Sequence, residues 1–485
     1  MKNGRSWTVA YIPVYATVHA LRTETLTKGY LVRRIVISGL VALAAGLGGV
    51  AVPATATAQP TSTAQSAPAV RPAAALRADG LVGSRETGAV VMPKGGRAPA
   101  ADDGVPVSGL PLISCVLTAD CLGIEGTSSL TDGVSRPTRV ARWNGSSWKG
   151  VGVMLPKGTR SDDLLGVSCK GAKSCLVVGD YYTATSQSAD SHVLALAYNG
   201  TSLKPTPPVP LPQGTTDAVL TGVSCVTYRR CVAVGAADGD TKAFGDLDSL
   251  IVIETWNGAK WTLRTAPTSM GTATYLDPTV VSCASSAFCV LSGEAFDGNS
   301  SASTFYIALW NGKKLTNMKP APVSGSADGF IGPTSVSCAT ASNCAVTGAV
   351  LGNASSSSGS SSAFTEIWNG MAWRLATVTW PKGRADSMTL GVSCYAAHTC
   401  EAVGVDGANE ETSFDAAAVS FNGTAGTLQT VPAASKGYLH LFSDVSCLPW
   451  GSCVATGATG KASGKSSAVV TGVWNSKVWK LFPGF

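Results

Sequence analysis

The sequence predicts an all-β fold, a seven-bladed β-propeller with four antiparallel strands and one intra-blade disulfide per blade. Three observations predict it. The first is a motif of the form Val-Ser-Cys-x5-Cys-x-Ala-Val-Gly, best seen at Val223–Gly235 and present in seven variants. Its first cysteines are Cys115, Cys169, Cys225, Cys283, Cys338, Cys394 and Cys447, spaced 53 to 58 residues apart. A fixed period of this size marks repeated supersecondary units. The second is that each first cysteine has a partner six residues on: Cys121, Cys175, Cys231, Cys289, Cys344, Cys400 and Cys453. The third is that every repeat divides into the same four short apolar segments, rich in Val, Ile, Thr and Trp and separated by turn signals. Such runs are strands, and four of them repeated around a ring make a propeller.

The first segment of each repeat ends in a β-branched residue, Ser and Cys, as in Ile113-Ser114-Cys115 and Val281-Ser282-Cys283. It is expected to be the innermost strand. The second leaves the partner cysteine as an apolar run closed by Gly, as at Gly179 and Gly404. The third ends at an aromatic residue: Trp143, Tyr198, Trp256, Trp310, Trp368, Phe421 or Trp474. An Asn-Gly turn follows in six repeats and Asn475-Ser476 in the seventh. Asn-Gly supplies the positive φ of a type I′ hairpin. The fourth segment carries a second Trp five positions after the first in four repeats (Trp148, Trp261, Trp373, Trp479), with Leu203, Leu315 and Gly426 in the others. With a loop of either two or four residues the two positions share a face, so they are expected to pack as a cross-strand pair.

All 14 cysteines of the 485-residue chain are used by these pairs. Flanking cysteines at this spacing bridge the mouth of a short hairpin, each contributing about 2 kcal/mol in the chain-entropy account. Zinc is the competing use, but the four histidines, His19, His192, His398 and His440, hold no fixed place in the repeat. Disulfides require an oxidising compartment, and the N-terminal residues agree. Arg33-Arg34, an apolar run from Ile35 to Val52 and an Ala-rich end at Ala56 and Ala58 read as a secretory signal peptide over 1–58, with an over-long basic region. An uncleaved anchor is the other reading of the same run. Residues 59–105 are Ala-, Pro-, Ser- and Thr-rich and read as a linker, with a possible ring-closing strand near 87–92; residues 106–485 form the propeller. Without residues 1–58 the formal charge falls from +6 to +1, which gives no general field for nucleic acid. The expected product is a secreted, extracellular monomer that meets the membrane only through its signal segment.

Connectivity sorts the loops. The Cys-x5-Cys and Asn-Gly turns lie on one face, here called lower. The loops between second and third segments and the joints between blades lie on the upper face. The upper set varies most (Asp180–Ser191, Ala236–Ser249, Glu294–Thr304, Ala349–Ala363, Val405–Phe414), so it is where a ligand is sought.

The outer hairpin, Trp-Asn-Gly-x-x-Trp, resembles that of the Asp-box, or bacterial neuraminidase repeat, propellers, across all seven repeats. Asn stands here where the Asp-box has its Asp. The Ser-Cys-x5-Cys pairs are similar to those of a looser group of secreted bacterial repeat proteins. The resemblance implies the fold and no particular activity.

Candidate catalytic acids are Glu254, Glu294, Glu366, Glu401 and Asp180, at different repeat positions, with no pair brought together by spacing. Glycoside hydrolysis needs two carboxyls about 5–10 Å apart, so no catalytic residue is assigned. The loop holding Asp238, Asp240, Asp246 and Asp248 is the densest in acids and the one place a calcium ion is considered; it lacks the EF-hand pattern. No cofactor or metal is otherwise expected. Asp132-Gly133, Asp297-Gly298 and Asp406-Gly407 read as turns. The seven serines before the first cysteines are too regular for catalysis and are expected to bond neighbouring blades. The leading expectation is a non-enzymatic propeller that binds an extracellular polymer or protein, such as an envelope glycan. The alternatives are a glycan-active hydrolase or lyase with its site in the upper funnel, and a structural or adhesive repeat domain. Two acids converging in the funnel with an Arg or Tyr beside them would favour the enzyme.

Overall fold

A computed structural model describes residues 111–125, 138–183, 191–239, 249–266, 275–296, 303–323, 330–351, 361–381, 387–407, 414–433, 438–461 and 467–485. It is a seven-bladed propeller of four-stranded antiparallel sheets. Blade 3 is representative, with strands Thr215–Thr227, Arg230–Gly239, Ser249–Trp256 and Trp261–Ala266 paired in chain order. Blades 2 and 6 gain a short fifth strand from the preceding joint, Gly152–Val153 and Thr377–Val378, which pairs in parallel with the outer strand. The apolar face of each blade packs on its neighbour, so the core is a circle of shared clusters; Leu176 and Val178 of blade 2, for example, join Val252, Trp256 and Trp261 of blade 3.

One transverse row organises every blade. In blade 3 it runs Cys225, Cys231, Trp256, Trp261, each in register with the next. The same row recurs in the other six. Direct opposition puts the two sulfurs of each pair within bonding reach, and all seven disulfides form with Cα–Cα distances of 3.9 to 4.0 Å. Beside the disulfide, the two Trp rings of the outer hairpin stack at 5.1 to 5.6 Å in the four blades that have both.

The hairpin turn differs from the type I′ expectation. The Trp pair closes a four-residue loop in which the Gly has positive φ and the Asn does not. The Asn side chain does the folding work: Asn257 Oδ1 accepts the N–H groups of Ala259 and Lys260, both at 2.9 Å. The same double acceptance occurs at Asn144, Asn199, Asn311, Asn369 and Asn475. In blade 6 the loop shortens to two residues, Gly423 and Thr424.

The serine expectation is met around the whole circle. Ser114 Oγ accepts the backbone N–H of Cys169 in the next blade, Ser168 that of Cys225, Ser224 that of Cys283, and so on. Ser282, Ser337 and Ser393 continue the series. Ser446 completes it by accepting from Cys115 of blade 1 at 3.0 Å. The ring therefore closes on itself through hydrogen bonds between blades 7 and 1, and the four described strands of blade 7 lie between Tyr438 and Pro483. Asp444 strengthens the seam by accepting the N–H groups of Ile113 and Val445, both at 2.9 Å, while Phe482 and Phe485 pack on Trp143 and Trp148. The segment near 87–92 lies outside the described residues.

The second strand does not stop at its glycine. In blades 2 to 7 the first strand carries a β-bulge opposite that point, as between Leu220 and Gly222. The bulge pushes a carbonyl into the space a side chain would fill: a Cβ on Gly179, Gly235, Gly348, Gly404 or Gly457 would land on the oxygen of Asp163, Val219, Gly332, Met388 or Leu441. Both strands then continue upward, so Asp406-Gly407 ends a strand and is not a turn.

Candidate functional site

Bulges re-aim the residues beyond them, and here the residues above the bulge hold the acids of the inner strands. Asp163 stands directly opposite Asp180 in blade 2, Asp217 opposite Asp238 in blade 3, and Asp277 opposite Glu294 in blade 4. Directly opposed residues place their Cβ atoms about 5 Å apart on one face. Three adjacent blades thus carry acid pairs at their upper ends. Asp163, Asp180 and Glu294 are buried between strands. Asp162 accepts from Thr138 of blade 1 at 2.6 Å, and burial raises its pKa. Asp217 accepts the N–H of Ser191 of blade 2 at 2.7 Å. His440 of blade 7 faces Asp415 of blade 6; burial lowers its pKa against the pull of that carboxylate. Asp162, Asp217 and His440 thus join the upper ends of neighbouring blades.

Blade 2 goes further. Asp162, Tyr181 and His192 form one row across its first three strands. The Tyr181 and His192 rings lie 5.2 Å apart, with Tyr181 half-buried and His192 exposed. Arg160, two residues before Asp162, is exposed at the same rim, and its N–H donates to the Tyr182 carbonyl at 2.8 Å. A phenol, an imidazole and a guanidinium reachable from solvent, beside a buried carboxyl, can exchange protons with a bound substrate and hold an anion.

The remaining sequence candidates separate from this rim. Glu254 and Glu366 sit two residues before the aromatic of the third strand, and Glu401 directly after the second cysteine of blade 6. All three are fully buried against a neighbouring blade. Burial pushes Glu254 up to about 8, against the pull of Arg264. It pushes Glu366 up to about 7, against the Ala321 N–H that donates to it at 2.9 Å. Glu401 rises to about 8, opposed by bonds from Ser420 and Gln429. Burial shifts all three carboxyls toward the protonated form and shuts them off from any substrate. Asp180 meets Asp163 but is fully buried, and Glu294 lies two blades away. Asp240, Asp246 and Asp248, with Asp132-Gly133 and Asp297-Gly298, lie outside the described residues. Asp238 is the next-to-last residue of the second strand of blade 3, and among the described residues no group of three or more His, Cys, Asp or Glu is placed to hold a metal ion.

Spacing from the cysteines alone missed Asp162, Asp163 and Tyr181, although a signal was present. Asp163 is six residues before Cys169 and Asp180 five after Cys175. The one-residue mismatch is the bulge, which a straight-strand reading does not supply.

No protein-family model and no curated relative matches the chain. The Asp-box resemblance therefore goes no further than the propeller itself. Solved structures similar in fold include an ulvan lyase from a new polysaccharide lyase family, at 7% identity and a TM-score of 0.49, covering 80% of this chain and 96% of that one. An acylaminoacyl peptidase of Pyrococcus horikoshii matches at 9% identity and a TM-score of 0.40, over 79% of this chain and 54% of that one. An α-L-arabinanase of Penicillium chrysogenum matches at 10% and 0.38, over 78% and 96%. These likenesses concern fold alone. The lean toward a non-enzymatic protein is withdrawn, since a lyase, a peptidase and an arabinanase stand among the structures of similar fold; the likeness itself assigns no activity.

Proposed function

We propose that the protein is an exported, glycan-active enzyme of the lyase type, acting on a uronate-containing polysaccharide at the upper rim of blade 2. The observation that carries this reading is the Tyr181–His192 pair, two proton-transfer groups side by side and open to solvent, with Arg160 at the same rim. β-Elimination needs those three roles. His192 takes the C5 proton, whose acidity rises when Arg160 neutralises the adjacent carboxylate. The C4–O bond breaks as Tyr181 gives its proton to the departing oxygen, and a C4–C5 double bond forms. Proton transfer from the imidazolium to the tyrosinate restores both groups. The buried Asp162 positions the row through Thr138. Hydrolysis by Asp163 and Asp180 is disfavoured because Asp180 has no exposure through which to reach a glycosidic bond. The seven disulfides support export into an oxidising compartment.

Incubation with a panel of polyuronates, read by the ultraviolet absorbance of the unsaturated product, tests the reading. Tyr181→Phe and His192→Ala are each expected to lower that rate by about 10²–10⁴-fold at unchanged melting temperature. New reducing ends without that absorbance would replace elimination by hydrolysis, and no product from any polyuronate would reject the reading.

A further inference from the structure

The lower face has a separate character. It consists of two turns per blade, all of them described. Because the Cys–Cys–aromatic row has one register in all seven blades, these turns start from the same level of every blade.

Charge on that surface is one-sided. Blade 2 presents Lys170 and Lys173, blade 3 Arg229, Arg230 and Lys260, blade 4 Lys313 and Lys314, and blade 7 the single Lys477, all exposed, with desolvation lowering the pKa of Lys170. The only acid in any lower turn is Asp120 of blade 1, which is ion-paired with Arg142 at 2.8 Å. The stems of Lys173 and Arg229 lie across Gly200 and Gly258 of the adjacent hairpin turns, where any Cβ would displace them. This concentration stands out in a chain whose propeller and linker are close to neutral.

The rest of the same face carries apolar tips. Met371 is 84% exposed, Trp450 58%, Leu117 50% and Val478 49%. Each occupies a lower turn or its edge, in blades 5, 7, 1 and 7. Basic residues with an aromatic and aliphatic tips at one level match the headgroup zone of an anionic bilayer, where cations meet phosphate and Trp settles at the interface. A soluble polyanion would use the basic sector and leave the apolar tips without a role.

We infer that the lower face docks the propeller onto an anionic lipid surface through the basic turns of blades 2 to 4, with Trp450 inserting at the opposite side. This leaves the upper face turned outward.

Flotation of the full, disulfide-bonded chain with phosphatidylcholine vesicles, with and without phosphatidylglycerol, tests it. Binding is expected with the anionic vesicles, weakening as salt rises, with a blue shift of Trp emission that Trp450→Ala removes. Arg229→Glu with Arg230→Glu is expected to reduce partitioning by at least ~100-fold, at about 1 kcal/mol per charge near the surface. The reversed variant keeps the N-terminal residues, so the loss belongs to this face. Lys313→Glu with Lys314→Glu repeats the measurement in another blade should the first variant misfold. Binding unaffected by either reversal, equal binding to neutral vesicles, or capture of a soluble polyuronate through these residues without vesicle binding would overturn the inference.

Discussion

Below the bulge, the seven blades repeat one arrangement of disulfide, aromatic row and interblade serine; above it, blade 2 has Asp162 and Tyr181 where blade 7 has His440 and Thr459. The difference shows how the fold divides its labour. The lower half closes a hydrogen-bonded circle of blades, each pinned by its own disulfide, that does not depend on what lies above it. The upper half needs only to continue the strands, so its residues are free to differ from blade to blade. The bulge is the border, and it turns the strand ends away from the register that constrains the lower half.

Four measurements break or sharpen that division. Trp256→Ala removes one ring of the aromatic row and is expected to cost about 3–5 kcal/mol in chemical unfolding. A cost below 1 kcal/mol would mean that the row does not carry the lower half.

The pH profile comes next. Glu254, Glu366 and Glu401 have native pKa values of about 8, 7 and 8, above the ordinary carboxylate range. Their raised native values mean that the folded state holds protons the unfolded state has released. The stability they contribute is complete below the unfolded pKa of about 4.3 and is lost as pH rises through 7 to 8. The melting temperature is therefore expected to fall between about pH 5 and pH 8, and Glu401→Gln is expected to flatten part of that fall. A profile identical in wild type and variant would remove Glu401 from this role.

Ser224→Ala leaves the Cys283 N–H without its acceptor and is expected to cost about 1–3 kcal/mol. If this loss matches that of an exposed Ser→Ala control, the serine circle does not hold the blades together. The smallest effect is a gain. Trp261 Nε1 donates to Thr206 and Trp479 Nε1 to Gln429, each three residues past the second position of the preceding blade's hairpin pair. The equivalent in blade 4 is Met318, and Trp373 Nε1 is buried without a partner. Met318→Gln is expected to raise stability by about 1 kcal/mol, checked by the urea midpoint; a lower midpoint would contradict the equivalence.

The disulfides and the serine circle were legible because each recurs seven times at fixed spacing, and the aromatic pairs because they recur four times; repetition separates packing from chance. The same habit hid the blade 2 rim. Asp163 and Asp180 fall at unequal distances from their cysteines, and Tyr181 and His192 occur once. Glu254, Glu366 and Glu401 read as surface or site charges because sequence does not report which face of a blade meets its neighbour.

The sequence by itself determined the blade count, the disulfide partners and the sorting of turns onto two faces, since those follow from period, spacing and alternation along a strand. Tertiary structure alone decided which carboxyls are sealed between blades, how Tyr181 meets His192, and which side chains join blade 7 to blade 1. Those outcomes depend on bulges and on contacts between blades more than 50 residues apart, as with Ser224 and Cys283. Local residue preferences cannot encode them, because burial is set by what packs from the other side.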